Sequence, residues 1–198
     1  MLGKTEVIKT LKEDIVDLAR TDIAVMLRGE TGTGKELVAR GVHNLSPRVN
    51  SPFVVLNCAT IPVQHFEETM YGVEGQKLGV LGKVKKGTLF LDDLSHCPIE
   101  LQPKILRIIE EKEFTPVGGS EPQKLDVRYI SAVDEKIEQT VNAGNVRKDL
   151  YYRLNTLIMR VPPLRERRED IPLLYANYMQ QYGELYEVIS PEITTEDM

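Results

Sequence analysis

The stretch that decides the fold is "LRGETGTGKELVARG", Leu27–Gly41. Gly29, Gly34 and Lys35 satisfy the pattern G-x-x-x-x-G-K of a loop that wraps a phosphate chain. An apolar segment precedes the loop and a helical pattern follows it, which is the context such a loop requires. Backbone N–H groups and the helix N-terminus would then face the phosphates, and the lysine would neutralise them. An ordinary glycine-rich turn between a strand and a helix is the alternative.

Glu36 departs from the general form of this loop. It stands where the serine or threonine that ligates magnesium usually follows the lysine. A carboxylate offers the metal no hydroxyl, so Mg²⁺ would depend on water and on other groups.

Two further carboxylates end the apolar segment "TLFLDD". We expect Asp92 to hold Mg²⁺ through water, and Asp93 to stand where a hydrolytic enzyme polarises the attacking water. An aspartate carboxylate lies one methylene closer to the backbone than that of glutamate, and a displacement of about 1 Å can cost roughly a hundredfold in rate. A solvated turn at the end of a strand is the alternative for this pair.

The rest of the chain alternates helical and strand patterns. Helices are predicted over 6–20, 35–45, 98–114 and 171–186, and strands over 22–27, 52–57, 87–94, 125–133 and 155–161. Pro98 is expected to open the third helix, and Pro162 and Pro163 to interrupt regular structure. Alternation of this kind predicts an α/β fold whose parallel sheet is covered on both faces and binds ligands at the carboxyl ends of its strands.

Composition argues against several classes of protein. No apolar run approaches the length of a membrane span and the N-terminus lacks the apolar core of a secretory signal, so we expect a cytoplasmic protein with no membrane partner. A net charge of -5 argues against direct nucleic-acid binding, so DNA contact is expected only through a domain absent from this chain. Cys58 and Cys97 lack C-x-x-C spacing and the three histidines are scattered, which indicates buried reduced thiols rather than a zinc site or a disulfide framework.

Several blocks in a fixed order resemble the central AAA+ domain of bacterial enhancer-binding proteins, the sigma-54 activators related to the nitrogen regulator. They are "GETGTGKELVARGVHNLSPR", "FVVLNCATIP", "GTLFLDDL", "LQPKILRIIEEKEFTPVGG", "DVRYISA" and "RKDLYYRLNTLIMRVPPLRERREDIPLL". The resemblance runs from about residue 3 to about residue 174. It implies a three-layer P-loop NTPase with a parallel five-stranded sheet, ATP or ADP and Mg²⁺ as ligands, and self-assembly into a ring or dimer. A glutamate after the loop lysine is usual in that family.

The resemblance also implies roles for individual residues. The Walker A loop comprises Gly29, Glu30, Thr31, Gly32, Thr33, Gly34, Lys35 and Glu36. Asp92 resembles the Walker B magnesium aspartate, and Asn57 resembles the switch asparagine that pairs with the catalytic acid, here Asp93.

Two arginines of "RKDLYYRL" resemble the arginine fingers that reach the γ-phosphate of a neighbouring subunit. They are Arg147 and Arg153, and charge stabilisation from such a position can raise the rate by several powers of ten. Surface ion pairing with Asp149 is the alternative.

Three departures from the family pattern bear on activity. Asp93 replaces a glutamate, and Val133 and Asp134 replace the threonine and asparagine of the sensor strand, so Asp134 would bring a carboxylate to the γ-phosphate. The fourteen residues 73–86 lack the hexapeptide Gly-Ala-Phe-Thr-Gly-Ala that touches sigma-54. Engagement of RNA polymerase holoenzyme through sigma-54 is therefore not expected, and this locally basic segment is predicted to be a solvated hairpin or turn.

The predicted domains are an AAA+ nucleotide-binding domain over 1–163 and a linker with a partial helical lid over 164–198, the chain being a fragment or a truncated member. The leading hypothesis is a regulatory module of a bacterial transcription regulator that binds ATP or ADP, with weak or absent hydrolysis. One alternative is an active ATPase that drives transcription activation through ring assembly. Another is an oligomerisation scaffold that binds a different nucleotide, such as a cyclic dinucleotide.

Overall fold

The computed structural model describes residues 2–186. The helices within that range are α1 Glu6–Ala19, α2 Lys35–Asn44, α3 Phe66–Tyr71, α4 Val80–Val84, α5 Gln102–Glu111, α6 Ile137–Asn142, α7 Lys148–Leu154 and α8 Ile171–Tyr186. The strands are β1 Val25–Arg28, β2 Phe53–Asn57, β3 Gly72–Val73, β4 Lys77–Leu78, β5 Thr88–Asp92, β6 Glu113–Phe114, β7 Gln123–Lys124, β8 Arg128–Val133 and β9 Leu157–Arg160. No helix of the described part is both long and apolar enough to cross a bilayer.

Five of these strands form one sheet in the order β2-β5-β8-β1-β9. Every neighbouring pair in it is parallel, with Leu27 opposite Ala132 and Asn57 opposite Asp92. The predicted parallel five-stranded sheet is confirmed. Because all five strands point the same way, the residues that follow them meet at one edge.

The sheet is the middle of three layers. Successive strand side chains point to opposite faces, so Val25 and Leu27 pack with α1 and α2 whereas Met26 packs on the other side. Phe90 belongs to the first of these faces and its neighbour Leu91 to the second. The three-layer architecture predicted from the motifs is thus the observed one, with an apolar core on each face of the sheet.

The sequence pattern explains the long helices. The buried residues Ile8, Leu11, Ile15 and Leu18 recur every three or four positions along α1, which gives that helix one apolar face. The prediction that Pro98 opens the third helix is wrong. Residues 99–101 form a turn, and α5 begins at Gln102 with a proline in its first turn, where a missing N–H costs no hydrogen bond.

The segment 73–86 contains nearly all of a tight hairpin, formed by β3 and β4, and the short helix α4. Strands β3 and β4 pair antiparallel, and Lys77 and Leu78 are exposed, which confirms the solvated hairpin for the first half of the segment but not for the second. Helix α4 follows and buries Leu81 and Val84. Val73 also bridges to Val117, so this hairpin is joined to the loop between β6 and β7.

The end of the described chain is fastened to its beginning. The buried carboxylate of Asp170 accepts hydrogen bonds from the backbone N–H of Lys4 at 2.6 Å and from the Thr5 hydroxyl at 2.7 Å. Helix α8 starts at the next residue. Cys58 and Cys97 are buried free thiols, as predicted. Residues 187–198, the rest of the predicted lid segment, lie outside the described part, and the division after residue 163 stays a prediction.

Replacing Phe90 by alanine tests the core beneath the sheet. Phe90 is fully buried, so Phe90→Ala should lower the free energy of unfolding by about 3–5 kcal/mol. Val55 is partly exposed on β2, the strand at the edge of the sheet beside β5. Val55→Ala should therefore lower the free energy of unfolding by less than about 1 kcal/mol. Denaturant unfolding of both variants measures the difference, and equal losses would contradict this core assignment.

Candidate nucleotide-binding site

A cleft of about 340 Å³ lies at the carboxyl edge of the sheet. Nine of the predicted site residues line it: Thr31, Gly32, Gly34, Lys35, Glu36, Asn57, Asp92, Asp93 and Asp134. They come from the ends of β1, β2, β5 and β8. Larger grooves of about 580 and 650 Å³ lie elsewhere on the surface, but the phosphate-binding loop lines neither of them.

The glycines shape the loop between β1 and α2. Gly32 and Gly34 have φ angles of 81° and 95°, in the left-handed region where a side chain is strained. Gly34 immediately precedes α2, so the first N–H groups of that helix face the cleft. The Lys35 ammonium lies across the loop and donates to the carbonyls of Gly29 at 2.7 Å and Glu30 at 3.1 Å.

Glu36 is turned along the helix rather than across the loop. Its carboxylate pairs with Arg40 one turn later at 2.7 Å, and both side chains are about half exposed. An exposed pair of this kind contributes only a few tenths of a kcal/mol. Glu36 therefore adds negative charge to the rim of the cleft without replacing the missing hydroxyl ligand.

Two arginines from the segment after β9 hold the phosphate loop, and sequence reasoning missed both. Arg165 binds the carboxylate of Glu30 through both terminal nitrogens, at 2.6 and 2.5 Å. Arg167, which is 9% exposed, donates to the carbonyl of Thr33 at 3.2 Å. The sequence signal was the basic run "RERR" after the two prolines, but sequence alone gives no partner for it.

The two aspartates at the end of β5 have different surroundings. Burial raises the pKa of Asp92, although its carboxylate accepts a hydrogen bond from the backbone N–H of Asp93 at 3.0 Å. Asp93 has a φ of 54°, a left-handed conformation that is uncommon for a residue with a side chain. The chain turns sharply there, and both aspartates line the cleft.

Asn57 closes the turn at the end of β2. Its side-chain oxygen accepts a hydrogen bond from the backbone N–H of Ala59 at 3.0 Å. Among the residues that the structure describes, no hydrogen bond joins Asn57 to Asp93. The structure thus brings both residues to one cleft, and their pairing stays a prediction.

His96 completes a cluster that the sequence did not reveal. Its Nδ1 lies 2.7 Å from Oδ1 of Asp93 and 3.8 Å from Oδ2 of Asp134. The hydrogen bond to Asp93 raises the pKa of His96, and the charges of both carboxylates act in the same direction. One ligand atom from each of the three residues lies within 4.8 Å of the others, close enough together to contact a single cation.

Comparison with known proteins agrees with this geometry. The family described as the sigma-54 interaction domain matches residues 1–160.

The chain belongs to the sigma-54 interaction domain family.

Relatives of this sigma-54 interaction domain are transcription regulators. It is 41% identical to a putative uric acid sigma-54-dependent transcriptional regulator of Escherichia coli K12, over 98% of this chain and 35% of that protein. It is 43% identical to the response regulator protein PilR of Pseudomonas aeruginosa, over 88% of this chain and 41% of that protein. The chain thus spans well under half the length of these relatives.

Solved structures show the same architecture. NtrX from Brucella abortus in complex with ATP superposes with a TM-score of 0.93 at 38% identity, covering 98% of this chain and 46% of NtrX. NtrX in complex with ADP gives the same TM-score and identity. The fold of this sigma-54 interaction domain is therefore that of an AAA+ P-loop NTPase domain of the NtrC type.

The two candidate arginine fingers stand apart from the cleft of their own subunit. Arg147 precedes α7 and pairs with Asp149 at 2.7 Å, so the ion-pair alternative describes this residue in the single chain. Arg153 is exposed on α7 and makes no hydrogen bond or ion pair within residues 2–186. Neither arginine lines the cleft.

The pKa of His96 is a direct probe of the Asp93 contact. A carboxylate that accepts the imidazole N–H favours the charged form, so Asp93→Asn should lower the pKa of His96 toward the ordinary histidine value. In the unaltered protein the pair's contribution to stability is fully present below that ordinary value and is lost as the pH rises through the raised one.

The measurement is an NMR titration of the His96 ring protons, assigned by their absence in His96→Ala. His65→Ala serves to assign the other exposed histidine. An unchanged midpoint in Asp93→Asn would show that the 2.7 Å contact does not persist in solution.

Proposed function

We propose that this domain is a regulatory module of a bacterial transcription regulator that binds ATP or ADP together with Mg²⁺, with weak or absent hydrolysis. The observation that carries the proposal is the contrast within one cleft. The phosphate loop is complete, with Lys35 and the left-handed glycines in place, whereas the position of the water-polarising base holds Asp93, hydrogen bonded to His96.

Nucleotide binding follows from the donors that surround the cleft. The first N–H groups of α2 and the Lys35 ammonium converge where phosphate oxygens would lie, a standard anion site. The ATP and ADP complexes of NtrX, which shares the fold over nearly the whole chain, support the same ligand here.

Asp92 is the residue that would hold the metal. Its carboxylate lines the cleft together with Lys35, and oxygen donors of this kind suit Mg²⁺. A bound Mg²⁺ would neutralise phosphate charge. The residues near it, Glu36 and Asp93, would supply further negative charge but no hydroxyl.

Weak hydrolysis follows from the state of Asp93. Its carboxylate is shorter by one methylene than the usual glutamate and is bound to an imidazole at 2.7 Å. Asp134 adds a second carboxylate where the γ-phosphate would lie, and like charges there disfavour the transferring phosphoryl group.

Assembly and wider function are also proposals. Arg153 is exposed on α7 and has no partner among residues 2–186, so it is suited to reach a neighbouring subunit in a ring or dimer and to complete the site between subunits. Contact with DNA would be made by another domain of a longer cytoplasmic protein. The hairpin of β3 and β4 gives no sigma-54 contact of the hexapeptide type, so polymerase would be reached in another way.

A second candidate function is a working ATPase that drives transcription activation. Two observations favour it: Asp92 lines the cleft beside Lys35, and Arg153 is exposed on α7. The relative described as a sigma-54-dependent regulator is consistent with it. In that case Asp93 would orient water through the carboxylate oxygen that His96 does not contact.

Lys35→Ala tests the nucleotide ligand. Loss of a desolvated charge partner costs about 2–5 kcal/mol, so the affinity for Mg-ATP should fall by at least about 30-fold. Lys83→Ala removes an exposed lysine outside the cleft and should leave the affinity unchanged. Isothermal titration measures both. Equal affinity in the unaltered protein and Lys35→Ala would contradict phosphate binding by the loop.

Phosphate release separates the two candidate functions. With ATP bound, the proposed module should release phosphate at a rate close to that of Lys35→Ala at every protein concentration, because Asp93 is held by His96. A rate that climbs with protein concentration and vanishes in both Asp93→Asn and Arg153→Ala would support the working ATPase instead.

A further inference from the structure

Three side chains of types that ligate metals lie close together beside the cleft, two of which, Asp93 and Asp134, line it. Asp93 and His96 flank the turn after β5, and Asp134 follows β8 on the neighbouring strand. His96 Nδ1 is 2.7 Å from Asp93 and 3.8 Å from Asp134, and all three donor atoms lie within 4.8 Å of one another. The spacing of histidines in the sequence did not reveal the cluster, because residues 96 and 134 come together only through the pairing of β5 with β8.

The separations suit a small cation. Zn²⁺ bonds of about 2.0–2.2 Å to nitrogen and oxygen, at tetrahedral angles, place ligand atoms roughly 3.3–3.6 Å apart. The observed 2.7 and 3.8 Å lie on either side of that range. The side chains of Asp93, His96 and Asp134 are 39%, 62% and 35% exposed, so small rotations about their side-chain bonds can adjust the distances.

The backbone around the cluster is firmly held. Asp134 follows a strand whose last residues are buried, and its N–H donates to the hydroxyl of the buried Ser95 at 3.0 Å. Ser95 lies in the same short turn as His96, so this bond ties together the two segments that supply the ligands. Such support fixes the approach of metal ligands.

The charge of the cleft also calls for a cation. Four carboxylates line it, those of Glu36, Asp92, Asp93 and Asp134, against the single ammonium of Lys35. Asp92 and Lys35 are the residues assigned above to Mg²⁺ and the phosphates. The carboxylates of Asp93 and Asp134 both lie within 4 Å of the imidazole of His96.

We propose that Asp93, His96 and Asp134 form a binding site for a divalent first-row transition cation, for which Zn²⁺ is the natural probe. The imidazole selects Zn²⁺, Co²⁺ or Ni²⁺ over Mg²⁺ and Ca²⁺, which prefer oxygen ligands throughout. Three protein ligands leave a coordination position for water or another small ligand. The site shares none of its three ligands with the Mg²⁺ position assigned to Asp92 and does not require that nucleotide bind.

The test uses the whole chain without nucleotide. Co²⁺ absorption reports the geometry of the site, and calorimetric titration with Zn²⁺ in excess Mg²⁺ reports affinity and stoichiometry. We expect one equivalent to bind. Mutation of residues that only hydrogen bond to metal ligands lowers metal affinity by about 10- to 100-fold. Loss of a ligand itself, in His96→Ala or Asp134→Asn, should therefore lower the affinity by at least about tenfold.

His65→Ala is the matched control. His65 is 67% exposed and lies 3.9 Å from the carboxylate of Glu68, so it offers a similar imidazole beside one acid but no third ligand. Affinity should be unchanged in this variant. Absence of Zn²⁺ binding, binding that excess Mg²⁺ abolishes, or equal loss in His65→Ala and His96→Ala would overturn the proposal. Because nucleotide is absent, failure of ATP binding would leave this result untouched.

Discussion

The position of β1 inside a parallel sheet, with a neighbour on each side, is the constraint on which the site depends. β1 pairs with β8 on one side and β9 on the other, so the backbone that leaves it is held by both neighbours. The N–H of Gly29 donates to the carbonyl of Val133 at 3.2 Å. A Cβ at Gly29 would lie 2.7 Å from the carbonyl oxygen of Val161, so only glycine leaves the strand there without displacing its neighbour. The phosphate loop begins from a fixed point.

From that point an ionic network connects the loop to the segment after β9. Arg165 binds Glu30 of the loop, and Arg160 binds Glu166 at 2.7 Å and Glu135 at 3.0 Å. Glu135 follows the cleft residue Asp134 directly. Each exposed pair contributes little to stability, but a bidentate arginine fixes orientation as well as distance. The network therefore links the phosphate loop to the chain that leads into α8.

Much of the architecture could be predicted because it depends on local pattern. Apolar segments next to helical repeats gave the five strands of the sheet, and the glycine spacing placed the loop between β1 and α2. The short helices α3 and α6 were not predicted, because one or two turns show too little periodicity to stand out. The predicted start of α5, at Pro98, was four residues too early, because Pro103 suits the first turn of a helix equally well.

The residues of the site likewise fall into those that the sequence predicted and those that it did not. The residues of the loop and the aspartates after β5 were found because their motifs are continuous in sequence. Arg165 and Arg167 were missed because their partners Glu30 and Thr33 lie 135 and 134 positions away and meet them only in the folded chain. His96 was missed because Asp93 is close in sequence but Asp134, which completes the cluster, is not. Long-range contact of this kind leaves no periodicity behind. The pairing of His96 with Asp134 follows from β5 and β8 being neighbours, which the strand order alone decides.

The chemistry of the cleft is best understood from Asp93, His96 and Asp134 together. A lone aspartate at position 93 would be a misplaced base, and a lone Asp134 would repel a phosphate. With His96 between them, each carboxylate has a partner, and the cluster becomes a compact set of donors instead of two isolated defects. The hydrogen bond to His96 occupies one oxygen of the Asp93 carboxylate, at 2.7 Å, and leaves the other oxygen as the acceptor for a water molecule. In the proposed function the cluster therefore competes with Asp93 for the role of base, whereas nucleotide binding by Lys35 and the loop backbone involves neither His96 nor Asp134.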